Sequence, residues 1–164
     1  MSFGPEGETT RRRVLSRAPF ALWMWRTLPL AAFAGLRVVR LDEHACAVRL
    51  PGGWRTLNPF RSTYFAAQAM AAEMSTGAPA LVLVQDAKPS VSFLPVGLRA
   101  TYTKKLVGAG TFTFDDVAGM AAAIERAAAS DEPQVFAGRS VGRDAASDVV
   151  SELEVIWSFK RRRS

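Results

Sequence analysis

The chain holds one cysteine, Cys46, and one histidine, His44, in 164 residues. A lone thiol forms no internal disulfide, and one Cys with one His falls short of the four ligands of a structural zinc site. No metal and no cofactor is therefore expected, and a reducing, cytoplasmic setting suits such a chain. Uninterrupted apolar runs are also lacking. The apolar stretch 18–36 carries Arg26 in its middle and Pro29 after it, so it is cut short of the roughly 20 residues a membrane span requires. Thr10-Arg11-Arg12-Arg13-Val14-Leu15 has the outline of a twin-arginine export signal, but a central arginine does not belong in the apolar part of one. An amphipathic helix over Phe20–Leu28, packed on the domain with Trp23 and Trp25 on different faces, is expected instead. Membrane association is not expected.

Charge of one sign is scarce where a nucleic-acid groove would need it. The formal net charge is +6, yet residues 1–17 contribute +2 and the run Lys160-Arg161-Arg162-Arg163 contributes +4. The remaining body carries 13 basic and 13 acidic side chains. A surface that tracks phosphates concentrates its cations on the folded part, so no nucleic-acid partner is expected. The chain divides into a flexible basic tail over 1–17, a single domain over 18–160 and basic C-terminal residues 161–164. Hydrophobic residues at 49% suffice for one core.

Local patterns give the elements. Residues 1–10 are rich in Gly, Glu and Thr and are expected to be disordered. Short helices over 18–34 break at Pro29. Val38 and Leu41, then Cys46, Val48 and Leu50, alternate around an Asp42-Glu43 turn, which is the pattern of a hairpin; His44 falls in its exposed turn and Cys46 in the core. An Ala-rich helix of about 14 residues follows, with Ser62 or Thr63 as N-cap and Gly77 as its stop. Residues 80–84 and 97–107 are expected as strands, and Gly108-Ala109-Gly110 as a hairpin loop leading into strand 111–114. That loop opens no helix, which excludes a dinucleotide-binding turn. Asp115 or Asp116 caps a helix over 117–129, ended by Asp131-Glu132-Pro133. Residues 134–141 and 149–159 are the last two strands. Antiparallel hairpins with a few helices define an α+β chain.

The segment WRTLNPFRSTYFAAQAMAAEMSTG, residues 54–77, is the most informative. A loop with Asn58-Pro59 enters a helix of small residues that holds one carboxylate, Glu73. Small residues let a helix lie close to another backbone. Burial among Ala69, Met70, Ala71, Ala72 and Met74 would raise the pKa of Glu73 and suit it to activating water. Gln68, Ser75 and Thr76 are the local polar groups that could orient it. Taken on its own, one Glu in an Ala/Met helix also fits a half-exposed surface helix, and Asn-Pro an ordinary turn.

Asn58-Pro59-Phe60, Ser62 and the Ala-rich helix with Glu73 resemble the hotdog-fold thioesterases of the phenylacetyl-CoA thioesterase type, and among them a branch of unknown function. The resemblance runs from the first hairpin to the last strand. It implies a curled antiparallel sheet wrapped around the long helix, and a homodimer or tetramer. It implies hydrolysis of an acyl thioester, on CoA or a carrier protein. Asn58 matches the Asn that orients thioester or water, and Glu73 matches the carboxylate that acts as nucleophile or base. Phe65 and Ala66 stand where the family has Gly-Gly, at the helix start whose N–H groups polarise the carbonyl. Tyr64 stands at the family's His and Arg61 at a Gly. Ser62 and Gln68 complete the expected substrate-binding set, and Arg55 and Arg61 are candidates for a CoA phosphate. Lys104-Lys105 falls where a sheet strand belongs. The alternative is a non-catalytic acyl-binding or dimerisation module, which the bulk of Tyr64 and Phe65 at the helix start favours. A third reading, a membrane-peripheral protein, would use Trp23, Trp25 and the terminal arginines.

Overall fold

The computed structural model describes residues 3–162. In chain order the helices are α1 (Pro5–Leu15), α2 (Arg17–Thr27), α3 (Pro29–Ala34), α4 (Phe65–Asp86) and α5 (Val117–Ala129). The strands are β1 (Arg37–Leu41), β2 (Cys46–Leu50), β3 (Val91–Tyr102), β4 (Gly110–Phe114), β5 (Gln134–Asp144) and β6 (Val149–Arg161). They form one open sheet in the order β1-β2-β4-β5-β6-β3, with every neighbouring pair antiparallel. The long helix α4 lies on this sheet, so the α+β architecture of a helix held against a curled antiparallel sheet is the one observed.

Several elements follow directly from the local patterns. Asp42 Oδ1 accepts the N–H groups of His44 and Ala45, each at 2.9 Å, and closes the β1–β2 hairpin. Asp116 caps α5 by accepting the Gly119 N–H at 2.9 Å. Cys46 is fully buried, and burial pushes its thiol pKa up.

Four expectations are corrected. Residues 5–15, expected within a flexible tail, form α1. Pro5 starts that helix, Glu8 is clasped by Arg11 and Arg12, and Asp86 at the end of α4 accepts the Gly7 N–H at 3.1 Å. The tail residues 1–2 and 163–164 lie outside the described residues, while Arg161 closes β6 and pairs with Asp131. Gly77 does not stop the central helix. It continues through Pro79 to Asp86, 22 residues in all, and the apolar 80–84 run is its last turns rather than a strand. A helix carrying Gly and Pro persists here because packing supplies what propensity withholds: Ala78, Pro79, Ala80 and Val82 are all buried. The expected strand 97–107 is displaced to Val91–Tyr102 and does not hairpin into β4. β3 pairs with β6 at the sheet edge, whereas β4 sits between β2 and β5. The connection crosses over, held by the fully buried Leu106, whose carbonyl accepts the Thr63 N–H at 2.7 Å. Lys104 therefore follows β3 and bridges Asp144 and Asp148 at 2.7 and 2.6 Å.

Between α4 and the sheet runs a polar seam. Gln68 accepts from Ser151 Oγ at 3.0 Å, Ser75 Oγ donates to Ser140 Oγ at 2.8 Å, and Thr76 Oγ1 accepts from Trp157 Nε1 at 3.0 Å. No buried side-chain polar atom among the described residues lacks a partner, so the seam fixes the helix on the sheet without the cost of orphaned groups.

Candidate functional site

Two features of α4 bear on the expected chemistry, its first turn and Glu73. The loop before the helix is organised by Asn58. Its Oδ1 accepts the N–H groups of Phe60 at 2.9 Å and Ser62 at 3.2 Å, its Nδ2 donates to Ser62 Oγ at 3.0 Å, and its own N–H donates to the Ser62 carbonyl at 2.9 Å. This side-chain turn lets Arg61 hold a left-handed backbone, φ 57°. Ser62 and Thr63 do not cap the helix as expected. The Ser62 hydroxyl is engaged by Asn58, and Thr63 Oγ1 donates to the Gly108 carbonyl at 3.3 Å. Tyr64 takes the N-cap position with no side-chain bond.

That arrangement leaves the helix start open. Among the described residues the Phe65 and Ala66 N–H groups donate to no acceptor, whereas the next two, Ala67 and Gln68, return to the Tyr64 carbonyl. Unsatisfied N–H groups at a helix N-terminus, with the helix dipole behind them, favour a developing negative charge. Tyr64 and Phe65 are exposed, their rings edge to face at 4.8 Å, and Tyr102 reaches the Phe65 carbonyl at 3.4 Å.

Glu73 lies on the face of α4 away from Gln68 and Ser75 of the polar seam. Positions 65, 66, 69, 70, 73, 77 and 81 form the stripe of 65–81 that is not buried, at helical spacing. Two adjoining apolar grooves meet at its carboxyl. One, of about 180 Å³, is walled by Val14, Phe20, Trp23 and Leu28 from the N-terminal helices with Met74, Leu81 and Phe93. The other, of about 280 Å³, runs between Thr27–Ala31 and Met70–Met74. Glu73 is exposed in the single protomer, and its carboxylate has no hydrogen-bond or ion-pair partner among the described residues. The apolar surroundings withhold solvation from the charge, and burial raises its pKa above the ordinary 4.5. Gln68, Ser75 and Thr76 do not orient it; they serve the sheet-facing seam, a turn of the helix away. The walls supplied by Phe20, Trp23 and Leu28 were legible only as an amphipathic spacing in 18–28. Nothing in the sequence said that this face would line a groove at Glu73.

Glu73 and the Phe65–Ala66 turn are brought onto one helix but not into one cavity. Eight residues of α-helix separate them by about 12 Å, and the grooves at Glu73 are lined neither by Asn58 nor by that turn. Arg61 is exposed beyond Asn58 and forms no ion pair among the described residues. No group of three or more Asp, Glu, His or Cys that could hold a metal ion occurs among them. No helix in this region is long and apolar enough to cross a membrane.

An open six-stranded antiparallel sheet against a long central helix is the hotdog fold. The chain belongs to the family described as Domain of unknown function (DUF4442), whose profile matches residues 16–156. Solved structures of the same fold include a Pseudomonas aeruginosa protein of unknown function described as a probable thioesterase. It is 17% identical with a TM-score of 0.72, and the match covers 99% of this chain and 100% of that one. A protein of unknown function from Chlorobaculum tepidum is 10% identical with a TM-score of 0.77, over 96% of this chain and 97% of that one. A Haemophilus influenzae thioesterase is 11% identical with a TM-score of 0.65, over 89% and 91%. No curated protein matches the sequence.

Proposed function

We propose that the protein is an acyl-thioester hydrolase acting on acyl-CoA or an acyl carrier, with Glu73 as general base. The observation that carries this reading is an unpartnered carboxylate at the meeting point of two apolar grooves, in a fold shared with thioesterases. Glu73 takes a proton from water, and the water oxygen bonds to the thioester carbonyl carbon. The carbonyl oxygen becomes an oxyanion facing the free Phe65 and Ala66 N–H groups. Collapse breaks the C–S bond, and the leaving thiolate takes the proton held by Glu73, which restores the carboxylate. Asn58 is a positioning residue, since its side chain is consumed in holding the loop that presents those N–H groups; Ser62 is its partner in that task. Tyr64 and Gln68 shape the helix start, and Arg61 stands free to meet a CoA phosphate.

The 12 Å between base and oxyanion donors makes a homodimer part of the proposal, with Glu73 of one protomer facing the Phe65 turn of its partner. The exposed edge strand β3, with Leu94, Val96 and Leu98 uncovered, supplies a face for that association. A cytoplasmic setting suits the free, buried Cys46.

An acyl-CoA panel assayed with wild type and Glu73→Gln tests the reading. Loss of a general base lowers turnover by about 10²-fold or more; equal rates remove Glu73 from the mechanism. The exposed Phe65 and Tyr64 rings at the helix start favour a second reading, an acyl-binding module without turnover. It is selected if no thioester is hydrolysed while acyl-CoA still binds.

A further inference from the structure

The structure gathers charge in a way the overall tally conceals. From Arg17 to Leu41 and again from His44 to Ala72 the chain has no Asp or Glu, yet these stretches hold Arg17, Arg26, Arg37, Arg40, Arg49, Arg55 and Arg61. The neutral body is therefore lopsided. Arg17, Arg37 and Arg55 are exposed and form no ion pair among the described residues. They come together around the Gly35 turn after α3. Arg17, Trp25, Gly35 and Arg37 line one shallow cleft, and a Cβ at Gly35 would lie 3.0 Å from Arg55 Nη2.

Large apolar side chains on the same elements are exposed. Trp54 is 78% exposed, Leu30 67% and Trp25 54%. Phe33 of α3 meets Trp54 edge to face at 5.7 Å, so the α2–α3 helices and the Trp54–Thr56 turn present one surface. Aromatic rings and leucines rimmed by unpaired arginines are the composition that settles into the headgroup layer of an anionic bilayer, rings at the acyl boundary and guanidinium groups at the phosphates. Nucleic acid would also answer the charge, but it offers no apolar layer for Leu30 and Trp54.

The geometry points to a membrane-docking face, formed by Arg17, Arg37 and Arg55 with Trp25, Leu30 and Trp54, that seats the protein on an anionic lipid surface. This is peripheral association and needs no spanning helix. It can fail independently of the thioesterase reading: it uses neither Glu73 nor the Phe65 turn, and of its residues Leu30 alone also borders a groove at Glu73. It differs from the peripheral reading drawn from the sequence, which used Trp23, Trp25 and the terminal arginines.

Co-sedimentation of the full-length protein with phosphatidylcholine vesicles, with and without phosphatidylglycerol, tests the assignment at low and high salt. Binding to the anionic vesicles alone, weakened by salt and accompanied by a blue shift of tryptophan emission, is expected. Arg17→Gln, Arg37→Gln and Arg55→Gln together should lower the partition coefficient roughly a hundredfold, about fivefold for each cation. A control triple, Lys88→Gln, Lys105→Gln and Arg126→Gln, removes equal charge elsewhere and should bind like wild type. Trp54→Ala should bind more weakly and lose part of the blue shift. Circular dichroism melts confirm that each variant folds. No binding to either vesicle, equal binding to both, or equal loss in the two triples overturns the proposal. So does self-association through this face, shown by a wild-type oligomer that Trp54→Ala dissociates without any vesicle binding by either protein.

Discussion

The Glu73 carboxylate lies over Gly77, so near that a Cβ on residue 77 would sit 3.1 Å from Oε1 and 3.4 Å from the Trp157 ring. The glycine thus reads as room for the acid rather than as a helix stop. Gly77→Ala should remove an unfavourable helix-interior glycine, worth about 1 kcal/mol, while pushing the end of a flexible Glu side chain aside. The expected result is a melting temperature equal to or above wild type with kcat for an acyl thioester at least tenfold lower. Unchanged turnover would show that the position of Glu73 is not critical.

Burial lifts the Glu73 pKa above 4.5 in the folded protein. Between 4.5 and that raised value the folded chain keeps a proton the unfolded chain has released. Stability therefore falls as pH climbs through this window and stays lower above it. Glu73→Gln abolishes the effect. Thermal melts across pH should find the variant more stable than wild type at neutral pH, with the gap closing as pH falls toward and below 4.5. Hydrolysis should move oppositely, rising as pH passes the raised value because the base works only when ionised.

The parts legible in the sequence were those encoded locally. The β1–β2 hairpin, α5 with its Asp116 cap, and Glu73 as an isolated acid could each be named from neighbours in the chain. The rest depends on what lies across space. Gly77 and Pro79 carry the signals of a helix end, but the sheet beneath holds the helix to Asp86. Leu106 falls in the expected strand 97–107, and only the crossover of β3 to the far edge shows it to be core outside any strand. Gln68, Ser75 and Thr76 are near Glu73 in sequence, yet helical rotation turns them to Ser151, Ser140 and Trp157. The walls around Glu73 come from α1 and α2, which no short motif predicts.

Arg61 occupies a left-handed position, φ 57°, where the resembling family has glycine. A non-glycine residue there carries a backbone cost of about 1 kcal/mol. Arg61→Gly should raise stability by about that amount in urea melts. If the exposed guanidinium meets a CoA phosphate, the same change raises KM for acyl-CoA and leaves kcat unaltered. A KM that does not move assigns Arg61 no part in binding.

Trp157 is buried, and its indole N–H ends on Thr76 Oγ1 at 3.0 Å. Thr76→Val keeps the shape and strands that donor. A loss of about 1–3 kcal/mol is expected in chemical denaturation, the cost of a buried unsatisfied group. Trp157→Phe removes the donor and leaves a space of its own. The double variant should be less destabilised than the sum of the singles, and strict additivity would show that the hydrogen bond does not anchor α4.

The β3 edge decides whether one protomer is sufficient. Leu94 and Leu98 are 62% and 50% exposed on a strand with an open side, a combination that invites pairing with another copy. A bulge between Pro95 and Gly97 divides the ladder with β6 into two regular stretches, Val91–Pro95 and Gly97–Tyr102. Leu98→Lys places a charge on the second of these stretches. If wild type is the proposed dimer, sedimentation velocity should then show a monomer, with far-ultraviolet dichroism unchanged because β3 still pairs with β6. Thioester turnover should fall with the dimer, since Glu73 and the Phe65–Ala66 donors lie about 12 Å apart along one helix and need a partner to meet. A monomeric Leu98→Lys protein with full turnover would place base and oxyanion donors in a single chain and remove the dimer from the mechanism.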